Sequence, residues 1–189
     1  MNTAMRWRII VLQAALVGVL AFLAGFAYWG NSFSHDMVQD QLAAQQIFFP
    51  EKGSEALNPE EYPTLQKYAG QQVVNGDQAQ AYANDYIGYH LKSVADGMTY
   101  SQASTASRQD PDNTELAGQV QTLFRGETLR GLLLNAYGWW TVGQYALYAA
   151  IGLTVAAGVV FVALLFEVWR WLAATRAEKT PLAHARAAT

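Results

Sequence analysis

Two charge-free hydrophobic stretches stand at opposite ends of the chain, over residues 9–33 and 131–166, and a long polar segment separates them. A bilayer core about 30 Å thick needs about 20 apolar residues of helix, and each stretch exceeds that length. The pattern therefore predicts an integral membrane protein with two transmembrane helices.

Tryptophans bracket the first stretch, with Trp7 before it and Trp29 near its outer end. Indole rings favour the membrane–water interface, so these two residues are predicted interface anchors of a span over residues 8–30. Arg6 and Arg8 also suit the basic region of a cleaved signal peptide, but the apolar run is longer than the 7 to 15 residues typical of one. The sequence favours an uncleaved anchor.

The second stretch would be roughly 54 Å long as a single helix, which is more than the hydrocarbon core can cover. Trp139 and Trp140 lie at one end of its central part, and Trp169 and Trp171 lie at the other. These anchors predict a span over residues 139–171, entered by a helix that comes directly from the polar segment.

Basic residues predict the orientation of the two spans. The segment between them carries thirteen acidic and six basic residues, a net charge of −7, whereas the two flanks together carry +4 within the total of −3. Since positive charge stays inside, residues 1–7 and 172–189 are predicted to be cytoplasmic and residues 31–138 extracytoplasmic, at the plasma membrane. An acidic outer segment also lacks the basic surface that nucleic acid requires.

Helical periodicity runs through the whole outer segment, and no alternating strand pattern interrupts it. The first helix should continue to Gln46, and a short helix over residues 64–69 should close at Gly70. A helix over residues 77–95 with Asp77 as N-cap, a capping box at Thr99 and a last helix from about residue 113 to residue 173 should follow. Residues 51–63 suit an irregular loop.

The predicted fold is therefore an all-α membrane protein, in which two transmembrane helices form an antiparallel hairpin that extends outward into a small helical domain. With no cysteine in the chain, that domain is held by packing alone.

Candidate chemistry is sparse. His35, Asp36 and His90 could in principle join an iron site of two histidines and a carboxylate, with Asp85 as the other carboxylate, but no dense ligand spacing supports one. His184 lies in the tail. We predict no metal and no cofactor.

An aromatic face and two charged pairs complete the inventory. Tyr82, Tyr86 and Tyr89 share a helix face and, with Tyr100, either line a ligand pocket or belong to the core, which is the commoner arrangement. Glu127 with Arg130, and Glu167 with Arg170, suit surface ion pairs better than a proton or anion relay.

Several segments resemble a family of actinobacterial two-span membrane proteins whose function is not established. The resemblance covers roughly residues 45–143 and rests on motifs such as Phe-Phe-Pro-Glu at 48–51, Lys-Tyr-Ala-Gly-Gln at 67–71 and the run from 121 to 137. Some members are labelled aromatic ring-opening dioxygenases. No residue here matches a dioxygenase ligand motif, so that label is not transferred.

Long aromatic and small-residue motifs without a catalytic constellation predict a non-enzymatic scaffold or accessory subunit of a membrane assembly. Its partners would be the bilayer and either another protein or a second copy of the chain. Predicted interface residues are the Tyr82, Tyr86 and Tyr89 face and the shoulder of Tyr137, Trp139 and Trp140. An extracytoplasmic ligand sensor with a tyrosine-lined pocket is the alternative, and a metal-dependent oxygenase is a weaker one.

Overall fold

The structure, a computed structural model, describes the backbone of residues 3–186 and the side chains of residues 5–176. His184 and the extreme ends of the two predicted cytoplasmic segments lie outside the described side chains. Within the described backbone every regular element is helical. The α-helices are α1 (Thr3–Gln45), α2 (Gly76–Ala81), α3 (Gly88–Leu91), α4 (Tyr100–Gln109) and α5 (Thr114–Arg186).

Shorter elements join these helices. A π-helix, Tyr82–Ile87, connects α2 to α3 without a break, and 3₁₀ turns occupy Glu55–Leu57, Pro63–Tyr68 and Val94–Gly97. The chain divides into two compact units, an apolar unit of residues 1–30 with 145–189, and a middle unit of residues 31–144. The sequence predicted domain boundaries after residues 30 and 138, and the two units of the structure meet after residues 30 and 144.

Two helices are long and apolar enough to cross a membrane, over Met5–Gln45 in α1 and Thr114–Arg176 in α5. Only 11% and 6% of their most apolar windows are buried by the rest of the chain, unlike the core helix of a soluble protein. The prediction of an all-helical chain with two such helices is confirmed.

In the apolar unit, the first turns of α1 contact α5 near residue 170. Arg6 Nη1 donates to the Arg170 carbonyl at 3.3 Å, and the Trp7 and Trp171 rings lie 6.5 Å apart. The predicted surface pair of Glu167 with Arg170 forms at 3.7 Å. Trp169 is exposed on α5, and Trp29 packs against Phe26 at 5.6 Å.

The middle unit has two hydrophobic clusters. The larger is centred on fully buried side chains from the irregular segments and from α2, and it joins residues of α1 and α5: Val38, Leu42, Phe49, Leu57, Tyr62, Leu65, Val73, Ala79, Ala83 and Leu133. The smaller contains Leu91, Ala95, Ala103 and Leu123. Since Leu57 and Tyr62 belong to this core, the predicted irregular loop of residues 51–63 is anchored by packing.

A short extended pairing interrupts the helical pattern of the middle unit. Phe49 N–H donates to the Gln71 carbonyl at 2.9 Å, and Val73 N–H donates to the Ile47 carbonyl at 2.8 Å. Gly70 has a φ of +70°, as predicted for the residue that closes the preceding turn. The sequence predicted that helices end beside residues 47–50 and 70–73, but it did not predict that these residues pair with each other.

Helix caps follow the sequence pattern with shifts of one or two residues. Thr99 and Gln102 form the predicted capping box. Asn75 rather than Asp77 caps α2, because its extended backbone lets Oδ1 accept from Gln78 N–H at 2.9 Å. Asn113 caps α5 in the same way, with Leu116 N–H as donor at 3.0 Å.

The helix predicted over residues 77–95 is shorter and less regular than expected. It passes through the π-helix and ends at Leu91. Beyond it Ala95, Asp96 and Gly97 all have positive φ, at 51°, 53° and 78°. Left-handed backbone is unfavourable for residues with a Cβ, so this turn stores conformational strain.

Candidate functional site

The tyrosine face of residues 82–89 is covered by other aromatic rings. Tyr82 lies 5.0 Å from Phe49, and Tyr62 lies 5.6 Å from Tyr86 and 4.9 Å from Tyr89, measured between ring centroids. Tyr82 and Tyr86 pack against the larger core cluster, whereas Tyr89 is 42% exposed. The face that could have lined a pocket is filled from within the chain.

Burial shapes the acid–base chemistry of this aromatic cluster. Desolvation raises the pKa of Tyr82, with the neighbouring Tyr86 as a smaller cause. Burial also raises the pKa of Tyr62, helped by the Glu61 carboxylate and the nearby tyrosines. Both phenols therefore keep their protons at neutral pH and serve as packing groups with a polar tip.

The two candidate histidines have different neighbours. His90 Nδ1 lies 3.3 Å from the Tyr62 hydroxyl. His35 stacks on Trp140 with ring centroids 3.8 Å apart, and its Nε2 lies 3.1 Å from the Trp140 carbonyl. Among the described residues no group of three or more His, Cys, Asp or Glu side chains is placed to hold a metal ion.

Polar side chains of α1 bind the backbone of α5 around this stacked pair. Asn31 Nδ2 donates to the Gly143 carbonyl at 2.9 Å, and Ser34 Oγ donates to the Trp139 carbonyl at 2.6 Å. A Cβ on Gly143 would lie 2.7 Å from His35 Cδ2, so glycine is needed for this approach. Asn31 contacts Gly143, whereas Ser34 and His35, later in α1, contact Trp139 and Trp140, earlier in α5, so the two helices run antiparallel within the middle unit.

The predicted shoulder of α5 splits between core and surface. Trp140 packs against the larger core cluster, and Tyr137 is half-buried, whereas Trp139 is 49% exposed. Trp139 and Tyr89 are thus the exposed members of the predicted interface set.

Arg130 holds the π-helix to α5. Its Nε donates to the Ala83 carbonyl at 3.0 Å, Nη2 donates to Asn84 Oδ1 at 3.2 Å, and Nη1 lies 3.0 Å from both oxygens of Glu127. The predicted surface pair of Glu127 with Arg130 is confirmed, but the same guanidinium reaches a second element. A π-helix is rare and is frequently found at functional sites.

Glycines make this close packing possible. A Cβ on Gly126 would lie 2.5 Å from Leu91 Cδ2, and one on Gly88 would lie 3.3 Å from the Ala83 carbonyl, which accepts from Arg130. Both glycines sit inside helical patterns, where glycine costs about 0.5–1 kcal/mol relative to alanine. A glycine inside a helical pattern is therefore the sequence signal that could have pointed to the contact of α5 with residues 82–91, which we call the junction.

A cleft of about 380 Å³ opens beside the junction. Leu91, Met98 and Leu123 supply its apolar lining, and Asn84, Lys92 and Arg130 supply polar groups. The left-handed turn reaches the cleft through Gly97. None of these residues was singled out as a site from the sequence, apart from Arg130 as a member of an ion pair.

Comparison with known proteins adds no relative. No family model matches the chain, and no curated protein or solved structure matches it. The resemblance to the actinobacterial two-span family stays a prediction.

Proposed function

We propose that this protein is a non-enzymatic scaffold or accessory subunit of a plasma-membrane assembly, and that α5 contacts a second copy of the chain within it. The chain would cross the bilayer twice as an antiparallel hairpin, with cytoplasmic termini and an extracytoplasmic domain over residues 31–138. The low burial of both apolar helices and the basic flanks support this topology.

One observation carries the scaffold proposal, an exposed apolar face of α5 within the middle unit. Phe124 and Leu132 are 51% and 63% exposed on that face outside the predicted span, and Trp139 and Val142 continue the face into the span. Large contiguous apolar surface on a folded domain marks an interaction site. Aromatic side chains such as Trp139 contribute most where they become buried on association.

The spacing of the face favours a second copy as the partner. Exposed residues at alternating intervals of four and three form one stripe along α5, the seam, whose mostly small side chains suit close approach of another helix: Phe124, Thr128, Gly131, Asn135, Gly138 and Val142. Gly131 and Gly138 have no neighbouring atoms within 4 Å of an added Cβ, so another backbone can approach them. Asn135 lies midway along the seam, where one asparagine fixes the register of two identical helices.

Disulfide trapping in native membranes tests this assembly, because the chain contains no cysteine of its own. Asn135→Cys should give a crosslinked species of twice the chain mass under mild oxidation. Thr122→Cys, on an exposed position away from the seam, is the matched control and should not. A seam cysteine that stays monomeric would contradict self-association, and a crosslink of another mass would assign the face to a different protein.

Accessibility of single cysteines tests the topology separately. Asp112→Cys should react with a membrane-impermeant maleimide in intact spheroplasts, and Ala174→Cys should react only after permeabilisation. The reverse pattern would invert the hairpin. An intact mass of 20.8 kDa supports the uncleaved anchor, whereas a chain that lacks the first apolar stretch would identify a signal peptide.

The oxygenase alternative has a direct test in elemental analysis of the purified protein. Iron, copper or zinc at about one equivalent per chain would favour it over the scaffold. A ligand-binding role remains the alternative with a structural observation behind it, and that observation is the cleft beside Arg130 rather than the tyrosine face.

A further inference from the structure

Two unusual backbone segments meet at the 380 Å³ cleft of the middle unit. The π-helix contributes Asn84 to its lining, and the left-handed turn contributes Gly97. Strained or irregular backbone of this kind persists mainly at ligand clamps and active sites. The two segments are joined by the short helix α3 (Gly88–Leu91), and the cleft opens where they face Leu123, Glu127 and Arg130 of α5.

The charge of the cleft is opposite to that of its surroundings. The segment between the spans carries a net charge of −7 with only six basic residues, and two of these, Lys92 and Arg130, line the cleft. An otherwise acidic surface thus presents a local positive site. With Glu127 also in the lining, the cleft carries a net charge of +1, so it attracts an anion more than the acidic domain as a whole does.

The contacts of Arg130 within the chain show that its guanidinium can bind a carboxylate. Its Nη1 lies 3.0 Å from both carboxylate oxygens of Glu127, which is itself a lining residue. This pair spans three residues of one helix, and the side chains of Arg130 and Glu127 are 27% and 47% exposed. Exchange of an exposed pair of this kind for another carboxylate costs little.

Arg130 has donors available in addition. Nε donates to Ala83, one N–H of Nη1 points at both oxygens of Glu127, and Nη2 makes one bond to Asn84, so these partners use three of the five N–H groups of the guanidinium. The second N–H of Nη2 has no acceptor among the described residues. It can donate to a ligand while the bonds that hold the π-helix stay intact.

The lining away from these charges is apolar. Leu91, Met98 and Leu123 belong to or pack against the smaller core cluster and border the cleft. A volume of about 380 Å³ is within the range of small-molecule sites. The ligand class that fits has one carboxylate and a short apolar chain.

We propose that this cleft is a binding site for a small amphiphilic monocarboxylate, with Arg130 and Lys92 holding the carboxylate and Glu127 acting as a built-in competitor. This inference does not depend on the scaffold role. The tyrosine face has no part in it.

The test uses the methionines of the chain as reporters, since Met98 is the one among the described methionines that lines the cleft. The full-length protein, labelled at its methionine methyl groups and held in lipid nanodiscs, is titrated with hexanoate and followed by NMR. The Met98 signal, assigned with Met98→Leu, should shift saturably. Met37, on α1, should not shift, and hexanol, which has the chain without the charge, should bind at least about tenfold more weakly than hexanoate.

Charge variants give opposite responses, which a purely structural role of these residues would not produce. Lys92→Gln should weaken hexanoate binding about threefold, and Glu127→Gln should tighten it about threefold or more, because the competitor is removed. Arg125→Gln, a base of the same helix outside the cleft, is the matched control and should leave binding unchanged. Neither test variant removes the bonds from Arg130 to the π-helix.

Three results would overturn the proposal. The first is a Met98 signal that does not respond to hexanoate. The second is an equal response to hexanol and hexanoate, which would indicate partition without charge recognition. The third is weaker binding, or none, in Glu127→Gln.

Discussion

Trp140 lies directly against Gly76, so closely that a Cβ on Gly76 would overlap the Cβ and ring of the tryptophan. Gly76 is the first residue of α2, and Trp140 belongs to α5, about sixty residues later. The same indole stacks on His35 of α1. One tryptophan therefore joins three helices of the middle unit, and glycine at position 76 is what lets it do so.

Gly76→Ala should destabilise the middle unit. The added methyl group has to displace the Trp140 side chain, and overpacking of this kind costs about 1–3 kcal/mol. For a chain of this size, that corresponds to a thermal midpoint lower by roughly 2–12 °C. Circular dichroism of the detergent-solubilised protein measures the shift.

Gly118→Ala is the matched control for that experiment. Gly118 is an exposed residue of α5 with no atom within 4 Å of an added Cβ. Alanine favours helix over glycine by about 0.5–1 kcal/mol, so this variant should hold or raise the midpoint. Equal midpoints for Gly76→Ala and the wild type would show that Trp140 can move aside without cost.

Asn31→Leu should weaken the contact between α1 and α5. Asn31 is 8% exposed and donates to the Gly143 carbonyl at 2.9 Å, and leucine keeps the volume but not the donor. The carbonyl retains its helical partner, so we expect a loss of only about 0.5–1.5 kcal/mol in unfolding free energy. A thermal midpoint like that of the wild type, or like that of the exposed-site control Gln41→Leu, would contradict a role for this bond.

Arg130→Met should loosen the π-helix while leaving α5 intact. The variant loses the bonds to Ala83 and Asn84 but keeps much of the apolar stem. Backbone amides of residues 82–88 should then exchange with solvent faster, by about tenfold or more, since hydrogen bonds to charged groups contribute about 1.5–3 kcal/mol. Hydrogen exchange with peptide-level mass spectrometry reads this directly.

Arg125→Met serves as the control for hydrogen exchange, because Arg125 is an exposed basic residue of α5, the helix that also contains Arg130. It should leave residues 82–88 at their wild-type rate. If both variants exchange at that rate, the π-helix is stable without the guanidinium.

Hydrophobic length and local capping patterns accounted for much of the fold from sequence. The apolar runs predicted α1 and α5, and Thr99 with Gln102 predicted the start of α4. These signals are contained in one segment each, so sequence spacing is enough to find them. The cap at Asn75 was missed by two residues because Asp77, also in the first turn, suits the helix dipole equally well.

Features that depend on distant partners could not be predicted in this way. The pairing of residues 47–50 with 70–73 is too short to show an alternating pattern. The π-helix is held by Arg130, more than forty residues away, and the cleft joins residues 84–99 to residues 123–130. Gly88 and Gly126 were the local signs of that junction, but a glycine in a helix does not name its neighbour.

Asp96→Gly should stabilise the protein slightly. Asp96 is exposed and has a φ of 53°, a conformation that costs a residue with a Cβ about 1–2 kcal/mol and costs glycine almost nothing. Glycine loses more entropy on folding, so the expected net gain is only about 0.5 kcal/mol. Asp110→Gly, at a φ of −129°, has no strain to relieve and should lower the thermal midpoint.

Tyr82→Phe should make the protein less sensitive to high pH. Burial raises the pKa of Tyr82 in the folded state above its unfolded value of about 10. Below that pH both states keep the phenol proton and its contribution to stability is complete. Above it the unfolded state ionises first, so the unfolding free energy falls as the pH rises toward the folded-state pKa.

Phenylalanine has no proton to lose, so the thermal midpoint of Tyr82→Phe should fall less than that of the wild type between about pH 9 and about pH 11. Near pH 8 the two midpoints differ only by the loss of the hydroxyl group, which provides the internal reference. A variant that loses as much stability as the wild type over this range would show that ionisation of Tyr82 does not oppose folding.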